Sequence, residues 1–272
     1  MDIKISVIIS TKNEERNIGG ILESLKKQTL QPFEIIVVDN NSSDRTAEIA
    51  KSFTPLVFDK GPERSAQRNF GIREAKGNYI LYLDADMILS PQILASLRDK
   101  ILLNPSLKGL YIPEVVVGEG FWVKVRRFER GFYDATVIDA VRFFPKEVFE
   151  KIGGFDETMN GSEDWDFDKR VRQFGEVDII SEALLHNEDG FSLNHYLGKK
   201  TYYQPTWDTY VAKWGRNDPD VKKQLGFWYR YFAVFMENGK SLRLIRHPIL
   251  TVGMYFLRFM VGFGYLKNRL TN

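Results

Sequence analysis

The strongest constraint on the fold is an alternation of apolar strand-like runs and amphipathic helices over residues 1–105. Residues 5–10 are a continuous β-branched run, which is typical of a strand covered by helices on both faces. Strands that alternate with helices form a parallel sheet with right-handed crossovers. Further strands are predicted over residues 34–39, 56–58 and 79–83. Helices are predicted over residues 17–28, from a cap at 42–44 to 53, over 64–75, and from Ser90-Pro91 onward.

The regular alternation ends after residue 105. Strands are predicted over residues 110–117 and 141–144, and helices over residues 145–152 and 163–174. A boundary is predicted near Gly226, because the chain beyond it is mostly aromatic, aliphatic and basic. We therefore expect one α/β domain over residues 1–225, divided into halves at 105, and a helical, aromatic-rich tail over residues 226–272.

Three polar clusters follow predicted strands at the point where each strand ends. They are Thr11-Lys12-Asn13-Glu14, Asp39-Asn40-Asn41-Ser42 and Asp84-Ala85-Asp86. In open parallel sheets, ligands bind outside the carboxyl ends of the strands. The three clusters therefore predict one shared ligand site at that edge of the sheet.

Asp84 and Asp86 are candidate metal ligands. They lie two residues apart after a buried apolar strand, where two carboxylates can converge on a hard divalent cation. The alternative interpretation is a solvated turn. His186 follows another apolar run and is a candidate third ligand, although a lone histidine is more often a surface or core residue. An imidazole ligand would favour manganese over magnesium, because it is a softer donor.

A second acidic motif, Gly161-Ser162-Glu163-Asp164-Trp165-Asp166, opens a predicted helix. Helix capping is one interpretation, because the exposed amides and the helix dipole stabilise carboxylates at this end. The other makes Asp164 a general base that removes a proton from a hydroxyl group. Arg68 precedes the Asp84 strand and has two interpretations as well. It lies either on a solvated helix face or where its guanidinium can hold phosphate oxygens in a fork.

Composition and missing motifs remove several classes of function. The chain has no cysteine, which excludes disulfides, thiolate zinc sites and a cysteine nucleophile. Its formal charge of +2 gives no support for a nucleic-acid partner. Walker A, Gly-x-Gly-x-x-Gly and Gly-x-Ser-x-Gly patterns are absent, which argues against ATPases, dinucleotide enzymes and serine hydrolases. No signal-peptide pattern precedes the first strand, so a cytoplasmic location is expected.

Two aromatic segments bear on membrane contact. Residues 248–266 approach the length of a membrane span but contain Arg258, which makes spanning costly. A helix packed on the domain or lying at a membrane surface is therefore favoured. Residues 122–133, which include Arg130, alternate aromatic and basic side chains. They form either an amphipathic helix on the domain or an exposed edge that faces a membrane or a lipid-phosphate headgroup. Peripheral contact with the inner face of the cell membrane is therefore one expectation.

Six segments, in order across residues 3 to about 190, resemble the family 2 glycosyltransferases of the GT-A fold. Six matches in one order make chance a poor explanation, and the rest of the chain is less diagnostic. The segments are Val7-Ile8-Ile9-Ser10-Thr11-Lys12-Asn13-Glu14, Val37-Val38-Asp39-Asn40-Asn41-Ser42-Ser43-Asp44, Arg68-Asn69-Phe70-Gly71, Tyr82-Leu83-Asp84-Ala85-Asp86, Gly153-Gly154-Phe155-Asp156-Glu157 and Gly161-Ser162-Glu163-Asp164-Trp165-Asp166.

This resemblance implies a Rossmann-like α/β fold with a mixed, mostly parallel central sheet flanked by helices. Residues 1–105 would be the nucleotide-binding half and residues 106–225 the acceptor-binding half. The implied activity is that of an inverting, metal-dependent hexosyltransferase using Mn²⁺ or Mg²⁺. It would move one sugar from a UDP- or GDP-sugar to an acceptor hydroxyl on a glycan or lipid-linked glycan. The Gln-x-x-Arg-Trp motif of processive polymerases is missing, which indicates a single transfer.

The resemblance also implies roles for individual residues. Asp164 would be the catalytic base, and Glu163, Trp165 and Arg130 would lie on the acceptor side. Asp84, Asp86 and His186 would be the metal ligands. The residues implied in nucleotide-sugar binding are Thr11, Asn13, Glu14, Asp39, Asn41, Ser42, Arg68, Asp84, Ala85 and Asp86.

Three other functions are compatible with parts of the sequence. A polyprenyl phosphate acceptor is already ionised and needs no base, so Asp164 would lose its role. A sugar nucleotidyltransferase should carry a glycine-rich phosphate loop after the first strand, which Thr11-Lys12-Asn13-Glu14 is not. A non-catalytic binding module is disfavoured by the intact Asp84, Asp86 and Asp164.

Overall fold

Two β-sheets organise the chain in its computed structural model, which describes residues 2–188, 190–202 and 206–271. The strands are β1 (Ile5–Thr11), β2 (Glu34–Asp39), β3 (Val57–Asp59), β4 (Tyr79–Asp84), β5 (Met87–Leu89), β6 (Gly109–Tyr111), β7 (Glu114–Val117), β8 (Phe143–Pro145), β9 (Val177–Ile179) and β10 (Leu184–Asn187). Within the described ranges the larger sheet has the order β3-β2-β1-β4-β8-β6-β9, and the smaller sheet has the order β5-β10-β7.

Helices connect these strands, and the described residues after β10 contain helices joined by turns. They are α1 (Ile18–Lys26), α2 (Thr46–Lys51), α3 (Arg64–Glu74), α4 (Ile93–Leu103), α5 (Phe121–Arg130), α6 (Lys146–Ile152), α7 (Glu163–Phe174), α8 (Leu193–Tyr202), α9 (Thr206–Trp214), α10 (Pro219–Leu225), α11 (Phe227–Tyr231), α12 (Leu242–Arg246) and α13 (Pro248–Thr271). Two short 3-10 helices, Ala233–Phe235 and Glu237–Gly239, lie between α11 and α12.

Strand pairing brings the predicted polar positions to one edge of the larger sheet. The strands β1 to β4 run parallel, with Thr11 paired to Asp39 and Ser10 paired to Asp84. The strand β8 runs antiparallel to β4 and to β6, so the sheet is mixed but mostly parallel, as the family resemblance implies.

Helices cover both faces of the larger sheet, as its continuous apolar strands require. Successive residues of a strand point to opposite faces. Val7 and Ile9 therefore belong to one buried cluster with residues of α1 and α4. Ile8 belongs to the other cluster, with Ile72 of α3 and Phe167 of α7.

The structure differs from the elements expected from the sequence in three places. The single strand expected over residues 110–117 is wrong, because it divides into β6 and β7, which lie in different sheets. Pro113 lies at the break and has no amide hydrogen to donate to a strand partner. The strand β5 was not expected, and α4 begins at Ile93, beyond the Ser90-Pro91 turn.

The C-terminal region packs on the rest of the chain through a third buried cluster. Val125 and Phe128 of α5 contribute to this cluster together with Met254 and Leu257 of α13. Among the described residues, no helix combines the length and the apolar character needed to cross a membrane.

Candidate active site

The loops that follow β1 and β2 are fastened to each other. Asn13 donates its backbone N–H to Ser42 Oγ (2.8 Å), and Asn13 Oδ1 accepts from the backbone N–H of Ser43 (2.9 Å). Ser42 in turn donates its backbone N–H to Asp39 Oδ2 (2.8 Å) and its hydroxyl to Asp39 Oδ1 (2.5 Å). Asn13 and Asn41 both have positive φ angles, a conformation that asparagine tolerates better than most residues. The two polar clusters therefore form one continuous rim.

Two other predicted residues of this rim, Thr11 and Glu14, differ in whether their polar atoms have hydrogen-bond partners. The Thr11 hydroxyl is buried and has no hydrogen-bond partner in the described part of the chain. Glu14 is held by Asn17, which donates to its carboxylate (2.7 Å), and by Thr46, which accepts its backbone N–H (2.7 Å). Buried polar groups are ordinarily paired, so the Thr11 hydroxyl is a candidate contact for a ligand.

Arg68 lies at the centre of the site and is completely buried. One terminal nitrogen is 2.9 Å from Asp84 Oδ1 at the end of β4. The other is 2.6 Å from Asp164 Oδ1, in the first turn of α7. Its guanidinium lies 4.6 Å from the ring centre of Tyr82 and 5.3 Å from that of Phe155. The helix α3 thus positions one cation between two carboxylates from distant parts of the chain.

This arrangement determines the charge state of Asp84. Burial alone would raise the pKa of Asp84, but the guanidinium groups of Arg68 and Arg142 outweigh it and hold the pKa well below its usual range. Asp84 is therefore ionised at neutral pH. Tyr82, whose ring packs against the Arg68 guanidinium, donates its hydroxyl to Asp164 Oδ1 (3.3 Å).

The two acidic residues at the start of α7 occupy different environments. Glu163 is buried and lies 3.1 Å from a guanidinium nitrogen of Arg64, while burial and the neighbouring Asp164 raise the pKa of Glu163. The Asp164 side chain keeps 30% exposure. The hydrogen bonds that Asp164 accepts from Arg68 and Tyr82 both end on Oδ1.

Asp86 and His186 meet beside this cluster, across the pairing of β5 and β10. His186 Nε2 lies 3.0 Å from Asp86 Oδ2, and its Nδ1 lies 3.9 Å from Glu114 Oε2. Burial would lower the pKa of His186, but its interactions with the carboxylates of Asp86 and Glu114 outweigh it and raise the pKa to about 10. Asp86 Oδ1 is buried and has no hydrogen-bond partner in the described ranges.

The residues beside β4 fit a divalent cation as a two-ligand site. Once the imidazole of His186 has released its proton, its nitrogen and the carboxylate oxygen of Asp86 that lacks a hydrogen-bond partner form a donor set suited to manganese. Among the described residues, no three carboxylate or imidazole side chains converge closely enough to hold a metal by themselves. Asp84 is engaged by Arg68 instead, so the prediction that it is a third ligand stays a prediction.

The remaining predicted residues have these positions. Trp165 donates its indole N–H to the carbonyl of Ile138 (3.0 Å), and Ala85 is buried in the core. Arg130 donates to Glu114 (3.0 Å) and to Asp139 (2.9 Å). The acceptor-side roles of Glu163, Trp165 and Arg130, like the donor-side roles, stay predictions.

Three contributors to the site were not anticipated from the sequence. Arg142 donates to Glu114 Oε1 (2.7 Å) and lies 3.8 Å from Asp84, so it links Asp84 to the pair formed by Asp86 and His186. Gln67 is buried and donates to the carbonyls of Thr11 and Val38, which ties α3 to the ends of β1 and β2. Glu114 and Arg142 each lie inside a short apolar run of the sequence. That position could have indicated that they pair with other charges, because buried charges require partners.

Comparison with known proteins identifies the family. The model of the family described as "Glycosyl transferase family 2" matches residues 6–153, which is more than half of the chain and includes β1 to β8. The chain belongs to glycosyl transferase family 2. The expected family membership is thereby confirmed, and the matched range contains Asp39, Arg68 and both aspartates of the Asp84-Ala85-Asp86 motif.

Relatives of this family 2 member come from bacteria and archaea. An uncharacterized glycosyltransferase of Haemophilus influenzae is 31% identical over 176 residues, which are 60% of each protein. The uncharacterized glycosyltransferase EpsJ of Bacillus subtilis is 26% identical over 90% of this chain and 76% of its own length. The chain thus spans between three fifths and three quarters of these two relatives.

Solved structures share the fold of this family 2 member. The S. aureus protein TarS, residues 1–349 in complex with UDP, has a TM-score of 0.60 at 20% identity, over 89% of this chain and 75% of that one. The mannosyltransferase PcManGT of Pyrobaculum calidifontis, in complex with GDP-Man and Mn²⁺, has a TM-score of 0.63 at 17% identity, over 98% and 87%. The expected GT-A architecture is confirmed.

Proposed function

We propose that this chain is an inverting glycosyltransferase that moves one sugar from a nucleotide-diphospho-sugar to an acceptor hydroxyl. The observation that carries this proposal is the fork of Arg68, which holds Asp84 and Asp164 on either side of one guanidinium. In-line displacement at a sugar carbon needs protein groups beside the departing diphosphate and beside the attacking hydroxyl. These groups must be held in one fixed geometry. The buried fork supplies that geometry from two separate elements.

In the proposed step, Asp164 accepts the proton of the acceptor hydroxyl while the hydroxyl oxygen bonds to the anomeric carbon. The bond from that carbon to the diphosphate oxygen breaks, and the diphosphate leaves with the electron pair. Attack from the opposite side inverts the configuration of the carbon. The sugar passes through a cation-like transition state similar to that of glycoside hydrolysis.

The donor is proposed to be a UDP- or GDP-sugar bound at the rim formed by Asn13, Asp39 and Ser42. The complexes of the structural neighbours with UDP and with GDP-Man support this class of donor. Asp86 and His186 would hold Mn²⁺ or Mg²⁺. A bound cation offsets the negative charge that grows on a departing diphosphate.

The acceptor is proposed to be a hydroxyl of a glycan or a lipid-linked glycan. The partial exposure of the Asp164 side chain supports a hydroxyl acceptor, because an acceptor that is already ionised would not need a base. A polyprenyl phosphate is the alternative acceptor. A cytoplasmic location with contact to the inner face of a membrane stays a prediction.

A donor panel tests this proposal without knowledge of the acceptor. The thermal unfolding of the purified chain is measured with UDP-GlcNAc or GDP-Man, in the presence of Mn²⁺, Mg²⁺ or a chelator. We expect one nucleotide class to raise the unfolding temperature and the cation to enlarge that rise. Asp86→Ala should remove the effect of the cation, whereas Asp99→Ala, an exposed acid on α4, should not.

Two outcomes would contradict the proposal. One is an unfolding temperature that no nucleotide sugar changes with any cation. The other is an Asp86→Ala variant that responds to donor and Mn²⁺ as the unchanged protein does.

A further inference from the structure

The helix α13 presents a second apolar face that nothing in the described structure covers. Its inner face packs against α5 through Met254 and Leu257. On the solvent side, a stripe of five residues repeats at helical spacing, and their side chains are 47% to 72% exposed. The stripe consists of Ile249, Val252, Phe256, Phe259 and Phe263. A helix at the surface of a soluble protein ordinarily carries polar residues on that side.

The stripe continues across neighbouring helices. Phe259 contacts Tyr231 at 5.4 Å between ring centres, and Tyr231 stacks on the exposed Phe227 at 4.5 Å. Phe256 stacks on Trp122 of α5 at 5.6 Å. The exposed Ile245 of α12 comes shortly before the stripe begins. We call this continuous apolar area the tail surface. Contiguous exposed patches of this kind mark interaction sites.

Basic residues accompany the tail surface. Residues 226–272 contain seven lysines and arginines and one glutamate, a formal charge of +6, whereas the whole chain carries only +2. The remaining residues are therefore net acidic, and the positive charge is concentrated in the tail. Arg246 is exposed directly after Ile245, and Lys124 is exposed one helical turn from Phe121. The occupant of the tail surface should accordingly be both apolar and negatively charged.

We propose that the tail surface docks in the plane of an anionic lipid bilayer, with α13 lying at the level of the headgroups. An apolar stripe with exposed basic residues on adjacent helices, here Arg246 of α12 and Lys124 of α5, fits the pattern of interfacial binding. No described helix is suited to cross a membrane, which agrees with α13 lying flat. The proposal does not depend on transferase activity. Membrane docking can therefore fail while the proposed function holds, and it can hold while the proposed function fails.

Vesicle co-sedimentation of the full chain tests this docking. The two probes are vesicles of phosphatidylcholine alone and vesicles of phosphatidylcholine mixed with phosphatidylglycerol. We expect binding to the anionic vesicles and much weaker binding to the neutral ones. Each basic side chain that approaches an anionic surface contributes about a fivefold gain in partitioning. Lys124→Gln with Arg246→Gln should therefore weaken binding, whereas Lys27→Gln directly after α1 combined with Lys51→Gln at the end of α2 should not.

A second pair of variants separates the apolar contribution from the charge. The variant with Ile249→Gln, Val252→Gln and Phe263→Gln should bind at least about tenfold more weakly. The matched control, Leu102→Gln with Leu103→Gln, changes exposed leucines on α4 and should bind normally. Thermal unfolding of every variant confirms that it is folded.

Three results would overturn the proposal. They are equal or absent binding of the unchanged chain to the two kinds of vesicle, normal binding by the folded stripe variant, and a dimer in light scattering that the stripe variant converts to a monomer. The last result would assign the tail surface to a second copy of this chain.

Discussion

Single residues of the site show how a buried guanidinium can organise carboxylates from separate elements. Arg68 is fully buried, and its two terminal nitrogens pair with Asp84 on one side and Asp164 on the other. Tyr82 and Phe155 pack near its flat faces. A guanidinium suits this position better than an ammonium group, because it offers several donors in a rigid plane.

Replacement of Arg68 should be costly to both stability and donor binding. Arg68→Ala leaves two carboxylates without their buried partner, and we expect a loss of about 3–5 kcal/mol in the free energy of unfolding. Arg73→Ala, on an exposed position of the same helix, should change it by less than about 0.5 kcal/mol. Urea denaturation measures both values. Equal stability of the two variants would contradict this account of the fork.

The environment of Asp168 predicts how the free energy of unfolding changes with pH. Burial outweighs the pairing with Arg172 and raises the pKa of Asp168 to about 6, from a usual value of 3.8. A raised pKa means that the folded state holds this proton more tightly than the unfolded state, so its contribution to stability is complete at low pH and is lost as the pH rises toward 6. Asp168→Asn removes this titration.

The difference in unfolding free energy, variant minus unchanged protein, should therefore rise by about 1–3 kcal/mol between pH 4 and pH 7. Denaturation of both proteins across this range measures it. A difference that stays constant or falls with pH would show that the pKa of Asp168 is not raised in the folded protein.

The sequence could predict some of these residues and not others. Arg68, Asp84 and Asp164 belong to local motifs whose order along the chain is informative. Glu114 and Arg142 lie in short irregular runs, and their meeting depends on which strands pair across the two sheets. Such long-range pairing is not encoded in any local pattern.

At the scale of elements, the close packing of α3 on the sheet explains the glycine of the Arg68-Asn69-Phe70-Gly71 segment. A Cβ atom at Gly71 would lie 2.6 Å from Ile8 Cγ2 and 2.9 Å from Val38 Cγ2. Asn69 fastens the same helix to the loop before α7, since it accepts the backbone N–H of Phe155 (2.8 Å). The helix is thereby placed where Arg68 can reach its two partners.

Gly71→Ala should force α3 away from the sheet and lower the unfolding free energy by about 1–3 kcal/mol. Gly19→Ala is the matched control on α1, where the nearest atom to the new Cβ would be 3.8 Å away. There the change should stabilise the protein by about 0.5–1 kcal/mol, because alanine favours the helix. Thermal or urea unfolding distinguishes the two signs, and a stabilising Gly71→Ala would contradict the close approach.

Element prediction succeeded where apolar periodicity was local and unbroken. The strand β2 and the helix α7 agree with their predicted bounds at both ends. The smaller sheet was not predicted, because β5 and β7 are three and four residues long and pair with β10 far along the chain. Short strands carry too little periodicity to be recognised before their partners are known.

At the scale of the whole molecule, the C-terminal region shares a buried cluster with α5. The predicted boundary near Gly226 is therefore testable. Removal of residues 226–272 would expose Val125, Phe128 and Phe132, which are now buried. We expect the shortened chain to lose its cooperative thermal transition and to bind a hydrophobic dye. A shortened chain that unfolds cooperatively at the original temperature would instead establish the tail as a separate unit.

The central claim is that Asp86 and Asp164 serve opposite sides of one sugar donor. Its most direct measurement is a crystal structure of the Asp164→Asn variant with Mn²⁺ and the nucleotide sugar selected in the donor panel. We expect the cation on Asp86, with the anomeric carbon between the diphosphate and residue 164. A donor bound with its sugar directed away from residue 164, or a cation held without Asp86, would contradict it.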